Sequence, residues 1–272
     1  MTRVGICGAA GQMGRTITQL VTASDDLQLT SACDHPSSGA IDRDAGEVAG
    51  VGNLDVAITQ GIADTVRQCD VLVDFSHADS SVEATESCKN ENKGLVIGTT
   101  GLSGQQLAIV KVASESVPIL MSPNMSIGVN ITFKLVEMAT KAFGDEVDIE
   151  IFEIHHSLKN DSPSGTAVRL GEIVADARKV ALDDKAVHGR VGHTGRREKG
   201  TIGFHSARGG DIVGEHTVVY AGTGERVEIT HRAQSRVNFG AGAIRAVRFI
   251  AAKLDGGETG FFDMDSVLGL GA

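Results

Sequence analysis

The densest chemistry in the chain lies in one short stretch, Glu153-Ile-His155-His156-Ser-Leu-Lys159-Asn-Asp-Ser-Pro-Ser164-Gly165-Thr166. Two of the nine histidines are adjacent, a lysine follows, and a Pro-Ser-Gly-Thr turn opens an apolar-periodic, helix-like segment. Proton donors, a fixed cation and backbone N–H groups at a helix start are what binding and protonating a small anion requires. Lys159 reads as the charge partner of a carboxylate and as a proton donor. Gly165 and Thr166 read as a carboxylate site made of helix-start N–H groups and a hydroxyl. N-capping by Ser162 or Ser164 is compatible with that use. Adjacent residues of an ideal strand point to opposite faces, so either the strand ends at the pair or His155 and His156 have different tasks. A metal is not expected: no cysteine lies near, and His-His-x-x-Lys matches no familiar ligand spacing.

What this stretch acts on is suggested by the N-terminal half. Val4–Cys7 is a short apolar strand that runs into Gly8-Ala9-Ala10-Gly11-Gln12-Met13-Gly14, then a helix-like segment from Arg15, then a strand Leu27–Cys33 ending at Asp34. Glycines in the first turn of a βαβ unit let backbone approach a pyrophosphate, and the helix start adds partial positive charge. Asp34 lies twenty residues after Gly14, the offset of a carboxylate that accepts from an adenosine ribose. His35 follows it where a 2′-phosphate would prefer a guanidinium, so the expected cofactor is NADH and/or NADPH with a lean to NADH, His35 or Arg43 leaving room for NADPH.

Strand-like and helix-like runs alternate to about residue 125, which predicts a parallel sheet covered on both faces. Ligands bind beyond the carboxyl ends of such strands. The ends carry small polar residues at Gly98-Thr99-Thr100 and Ser122-Pro123-Asn124-Met125, suited to line a nicotinamide pocket. An amphipathic helix, 127–143, is expected to bury Ile127, Ile131, Leu135, Met138 and Ala142. Then the pattern changes. Val147–Ile154 alternates apolar and acidic residues; a helix follows from about Gly165 to Val180; 183–200 reads as a polar, mobile loop; and strands are expected at Thr201–His205, Asp211–Tyr220 and Arg226–His231. A last helix spans Asn238–Leu254. The expected fold is α/β: a Rossmann-type doubly wound parallel sheet plus a second α+β domain with an open mixed sheet. The boundaries expected are 1–126 for dinucleotide binding, 127–235 for substrate binding and oligomerisation, and 236–272 for a C-terminal helix returning to the first domain.

Bulk properties narrow the classes. The 272 residues carry a formal charge of −10, 34 glycines, 4% aromatics and no tryptophan. That disfavours nucleic acid, which needs a basic face or aromatic platforms. Mean hydropathy is +0.01, no run is long enough to span a bilayer, and no signal peptide is read, so a cytoplasmic protein is expected. The four cysteines form no C-x-x-C pair and read as reduced buried thiols. None lies in the second half, which argues against a thioester-forming semialdehyde dehydrogenase. A dinucleotide-binding redox sensor would account for the first 125 residues but not for His-His-x-x-Lys.

Glu153-Ile-His-His-x-x-Lys-x-Asp-x-Pro-Ser-Gly-Thr-Ala167 resembles the signature of the 4-hydroxy-tetrahydrodipicolinate (dihydrodipicolinate) reductase family. So do Gly8–Arg15, Val96-Ile-Gly-Thr-Thr-Gly101, Asn124-Met-Ser-Ile-Gly-Val-Asn130, Gly200-Thr-Ile-Gly-Phe204 and Gly210-Asp-Ile-Val-Gly-Glu-His-Thr217. The resemblance implies a homotetramer that reduces a small cyclic dicarboxylate in the diaminopimelate route to lysine. It implies His155 as the acid/base residue and Lys159 as a proton donor, with His156, Gly165, Thr166 and Thr100 against the substrate. Gly8 to Met13, Asp34, Gly98 to Thr100 and Ser122 to Met125 would bind the cofactor, and catalysis would need both domains.

Overall fold

Short apolar runs bounded by glycine or polar turns become the central strands of a parallel sheet when both their faces are covered. In the computed structural model, which describes residues 1–270, β1 (Thr2–Cys7), α1 (Gln12–Thr22) and β2 (Leu27–Cys33) form the first such unit. The chain continues through α2 (Ala45–Ala49), β3 (Ile58–Thr59), α3 (Ile62–Arg67), β4 (Val71–Asp74), α4 (Ala78–Glu91), β5 (Gly94–Ile97), α5 (Gly104–Ala113) and β6 (Pro118–Met121). Next come α6 (Ile127–Phe143), β7 (Asp148–His155), α7 (Gly165–Arg178), α8 (Leu182–Lys185), β8 (Ala186–His188), β9 (Ile202–Arg208), β10 (Gly214–Ala221) and β11 (Arg226–Ala233). The last elements are α9 (Val237–Asp255), β12 (Gly260–Phe262) and α10 (Met264–Leu268). Two compact units result: Met1–Ile127 with the chain from Arg236 onward, and Gly128–Ser235.

The first unit is a seven-stranded sheet in the order β12-β6-β5-β4-β1-β2-β3, parallel at every pairing. Every residue of β4 and β5 is buried. Small residues let α9 lie close on this unit: a Cβ at Gly94 would stand 2.4 Å from Ile250, and one at Gly242 would stand 1.7 Å from the Met125 carbonyl oxygen. The stretch between β2 and β4 holds α2, β3 and α3. The Asp44 carboxylate organises it by accepting from four backbone N–H groups, of Gly46, Glu47, Leu54 and Val56.

The second unit is a mixed five-stranded sheet, β11-β10-β7-β9-β8, antiparallel at β11/β10 and β10/β7 and parallel at β7/β9 and β9/β8. Ile149, Ile151, Val218, Phe204 and Tyr220 on its inner face share a core with Leu170 and Val174 of α7. Three expectations need correction here. In α6 the stripe Ile131, Leu135 and Met138 is exposed, while Val129, Thr132, Val136 and Thr140 are buried. The threonines go inside because each hydroxyl bonds back to its own helix, Thr132 to the Gly128 carbonyl and Thr140 to that of Val136. Residues 183–200 contain most of α8 and all of β8, and their remainder is pinned by Arg190 and Arg197, which donate to Glu150. Finally, β9 runs three residues beyond the expected His205, to Arg208.

Candidate active site

In the first unit the site is made mostly of backbone. Gly8 has φ +82°, and a Cβ there would stand 2.3 Å from the Phe75 carbonyl oxygen; one at Gly14 would stand 2.2 Å from the Gly8 carbonyl oxygen. The turn is therefore closed to any side chain at either position. The Gly8 and Ala9 N–H groups donate to the Cys33 carbonyl, and that of Ala10 to Asp34 Oδ2 at 2.7 Å. These amides brace the loop. No side chain caps α1, which leaves the Gln12 and Met13 amides at its first turn for an anion. A cavity of about 390 Å³, lined among others by Gly8, Gly11, Asp34, His35, Phe75 and Ser76, is of a size that takes a nucleotide. The donor set and the closed turn fit a dinucleotide.

The other strand ends are braced by a buried carboxylate that sequence reasoning missed. Asp74 is fully buried. It accepts from the hydroxyls of Ser76, Ser81 and Thr99, and burial raises its pKa despite those bonds. Thr99 also accepts the Ser76 N–H, so its hydroxyl is committed on both sides, whereas Thr100 is exposed. Gly98 passes under the Phe75 ring, 2.2 Å from where its Cβ would be. The Ser122 hydroxyl donates to the Asn124 carbonyl, and the Asn124 side chain accepts from Ser126 N–H; Met125 is buried. These four residues hold the turn after β6.

In the second unit the site is made of side chains. The inner face of the sheet is apolar at Ile149, Ile151, Val218 and Tyr220, then turns polar at Glu153, His155 and His216, all buried. His155 is the last residue of β7. The strand ends between the two histidines, which answers the question their adjacency raised. Past it, the Ser157 N–H donates to Gly210 and the Lys159 N–H to His156, folding the chain back toward α7. Ser164 caps α7 by accepting from Ala167 N–H at 3.2 Å. Gly165 begins the helix exposed, with open space where its Cβ would be. Thr166 follows it, half-buried. Lys159 pairs with Asp161 at 2.7 Å. His156 Nδ1 is buried with no hydrogen-bond partner among the described residues.

Glu153, also missed as a participant, binds this cluster together. Its Oε2 meets His155 Nδ1 at 2.6 Å and Arg208 Nη1 at 2.8 Å, and its Oε1 accepts from Arg208 Nη2 at 2.9 Å. Burial works to raise its pKa, but the bonds from Arg208, Ser206 and His155 outweigh that and hold it down. Burial lowers the pKa of His155 against the pull of Glu153. It takes His216, whose Nε2 meets the Ser164 hydroxyl at 2.9 Å, down to about 3. Among the described residues no cluster of three or more His, Cys, Asp or Glu could hold a metal ion, and no helix is long and apolar enough to cross a membrane.

Sequence models described as "Dihydrodipicolinate reductase, N-terminus" and "Dihydrodipicolinate reductase, C-terminus" match residues 2–125 and 128–268. The chain belongs to the dihydrodipicolinate reductase family. It is 49% identical over 269 residues to the 4-hydroxy-tetrahydrodipicolinate reductase of Alkalilimnicola ehrlichii, covering 99% of both chains. It is 47% identical over 268 residues to that of Acinetobacter baumannii, covering 98% of this chain and 96% of the relative. Among solved structures, a dipicolinate-bound dihydrodipicolinate reductase from Paenisporosarcina shares the fold, with a TM-score of 0.76 over 98% of each chain at 23% identity. The chain is accordingly an oxidoreductase whose N-terminal unit has the fold for a nicotinamide nucleotide.

Proposed function

We propose that the protein reduces 4-hydroxy-tetrahydrodipicolinate to tetrahydrodipicolinate with loss of water, on the diaminopimelate route to lysine. The observation that supports the site assignment is the meeting of Glu153, His155, His216 and the Ser164 cap of α7 at the polar end of one sheet face, with Lys159 acting on His155 by charge. Family membership at 49% identity supports the reaction. The substrate is a cyclic dicarboxylate, so an acidic protein must supply local donors. Lys159, released from Asp161, meets one carboxylate, while the Gly165 amide and Thr166 meet the other. His156, with its unpartnered Nδ1, and Thr100 complete the contacts.

Loss of the ring hydroxyl gives a conjugated imine. A nicotinamide nucleotide held by Gly8 to Met13 and Asp34 would supply hydride to the imine's C4. Charge that develops on the ring is quenched by a proton at C3, from His155 or Lys159. His155 with its lowered pKa is largely neutral in the free protein; an arriving dianion raises that pKa and charges the ring where the proton is needed. Gly8 to Met13, Asp34, Gly98 to Thr100 and Ser122 to Met125 bind the cofactor. The Asp34 carboxylate favours a free ribose, hence NADH. His35, which lines the cavity beside Asp34, or Arg43 leaves room for NADPH.

In this reading residues 1–126 carry the dinucleotide, 127–235 the substrate and the subunit contacts, and 236–272 complete the first domain. Assembly as a homotetramer rests on the family resemblance, with the outer face of the second sheet at exposed Phe152 as a candidate contact, to be checked by sedimentation. The charge of −10 supports a protein without a nucleic-acid partner, and a cytoplasmic place remains part of this reading. The deciding experiment is NADH oxidation on addition of freshly generated substrate, repeated with NADPH. Turnover with a higher kcat/KM for NADH is expected. Cofactor binding without turnover would leave a sensor, and a strong NADPH preference would remove the lean.

A further inference from the structure

Glu153 is 4% exposed, and neither of its oxygens is spare: besides Arg208 and His155 it accepts the Ser164 N–H at 3.3 Å. An ionised carboxylate only accepts, so His155 Nδ1 is the donor in that contact. The neutral ring therefore carries its proton on Nδ1 and its lone pair on Nε2. The ring is fixed from other sides too. His216 meets it edge-on with centroids 5.0 Å apart, and a Cβ at Gly214 would stand 2.8 Å from Nε2. Arg208 anchors the arrangement to the following loop by donating to the Asp161 carbonyl.

We propose that Glu153 and Arg208 are one positioning pair, in which Glu153 fixes the orientation and tautomer of His155 so that Nε2 exchanges the proton, and Arg208 offsets the carboxylate so that His155 can release it. The proposal rests on His155 being the acid/base residue. The charged and titratable groups facing His155 are Glu153 on its own strand, Arg208 on β9, His216 on β10 with His231 opposite it on β11, and Lys159 with Asp161 on the following loop. From α7 comes the Ser164 cap, which is not titratable. A lone carboxylate would keep His155 charged; a lone guanidinium would discharge it. The pair does neither, and Glu153 couples the ring to the helix start that receives the substrate.

The test is an NMR titration of His155, with its ring nitrogens resolved, in the full-length wild type, Glu153→Gln and Arg208→Gln, alongside kcat and KM for each. Glu153→Gln should move the His155 titration to lower pH and Arg208→Gln to higher pH, and the alkaline limb of the rate should follow. In Glu153→Gln, kcat should fall about 10–100-fold, the cost typical of removing a partner behind a functional histidine, with KM for the cofactor unchanged and partial recovery in Glu153→Asp. If Arg208→Gln does not fold, Arg208→Lys should hold the titration near its original pH and still lower kcat. Shifts in one direction, no shifts, or an unaltered kcat in Glu153→Gln would overturn the proposal. Opposite shifts combined with full activity of His155→Gln would instead remove His155 from the reaction and leave the pair a purely structural role.

Discussion

The glycine loop of the first unit and the His155 cluster of the second are built from different material. The loop works through absent side chains: Gly8 and Gly14 leave no room for a Cβ, and no side chain caps the helix start that follows. The cluster works through side chains brought from β7, β9, β10 and the start of α7, with Glu153 at their centre. A backbone-built site tolerates the general acidity of the chain because its donors are peptide groups. A side-chain site must balance its own charges, and here a buried carboxylate and a guanidinium do so beside two histidines whose pKa values burial lowers.

The comparison predicts separable damage. The largest effect is expected from Lys159→Ala, which removes both a charge-assisted contact and a proton donor: kcat/KM for the dicarboxylate should fall by roughly 10²–10⁴-fold, with NADH affinity by calorimetry unchanged. Loss of NADH binding as well would break the division. Gly165→Pro keeps a residue suited to the first helical position but removes its N–H. Binding of a pyridine dicarboxylate should weaken by about 1.5–3 kcal/mol, the worth of a hydrogen bond to a charged group; equal affinity would take the helix start out of the substrate site. Gly14→Ala is the mirror experiment. Overpacking against the Gly8 carbonyl should cost about 1–3 kcal/mol of stability and weaken NADH while sparing the dicarboxylate.

How far each region was legible in the sequence follows from the same difference. The glycine spacing and the acid after β2 are local signals, so the loop could be read directly, although the inward turn of its first amides could not. His155, Lys159 and Gly165 stood out as residue types within one stretch. Their support did not: Arg208 and His216 lie more than fifty residues beyond His155 and arrive only through the β7–β9 and β7–β10 pairings. Glu153 was readable in principle, because residues two apart on a strand share a face. The register of α6 was misread because buried threonines bonded to their own helix look polar in sequence.

Smaller effects sharpen the electrostatic side. Since the dianion raises the His155 pKa, the alkaline limb of kcat, which reports the bound state, should lie at higher pH than that of kcat/KM; coincident limbs would show no such coupling. In stability, burial takes the His216 pKa down to about 3 in the fold, against an ordinary value of 6.5. The unfolded chain takes up that proton first, so stability is full above about pH 6.5 and is lost as pH falls toward about 3. His216→Gln should flatten the denaturation midpoint between about pH 6.5 and 5, above the carboxylate range, with the residual slope left by His155 and His231, both also lowered. An unchanged slope would mean that His216 is charged in the fold.

The most direct test is single-turnover reduction of freshly generated substrate by His155→Gln with NADH bound. NADH affinity at the wild-type value and a rate lower by about 10²-fold or more are predicted for a lost general acid. A wild-type rate, or a cofactor affinity that falls with the rate, would contradict the account.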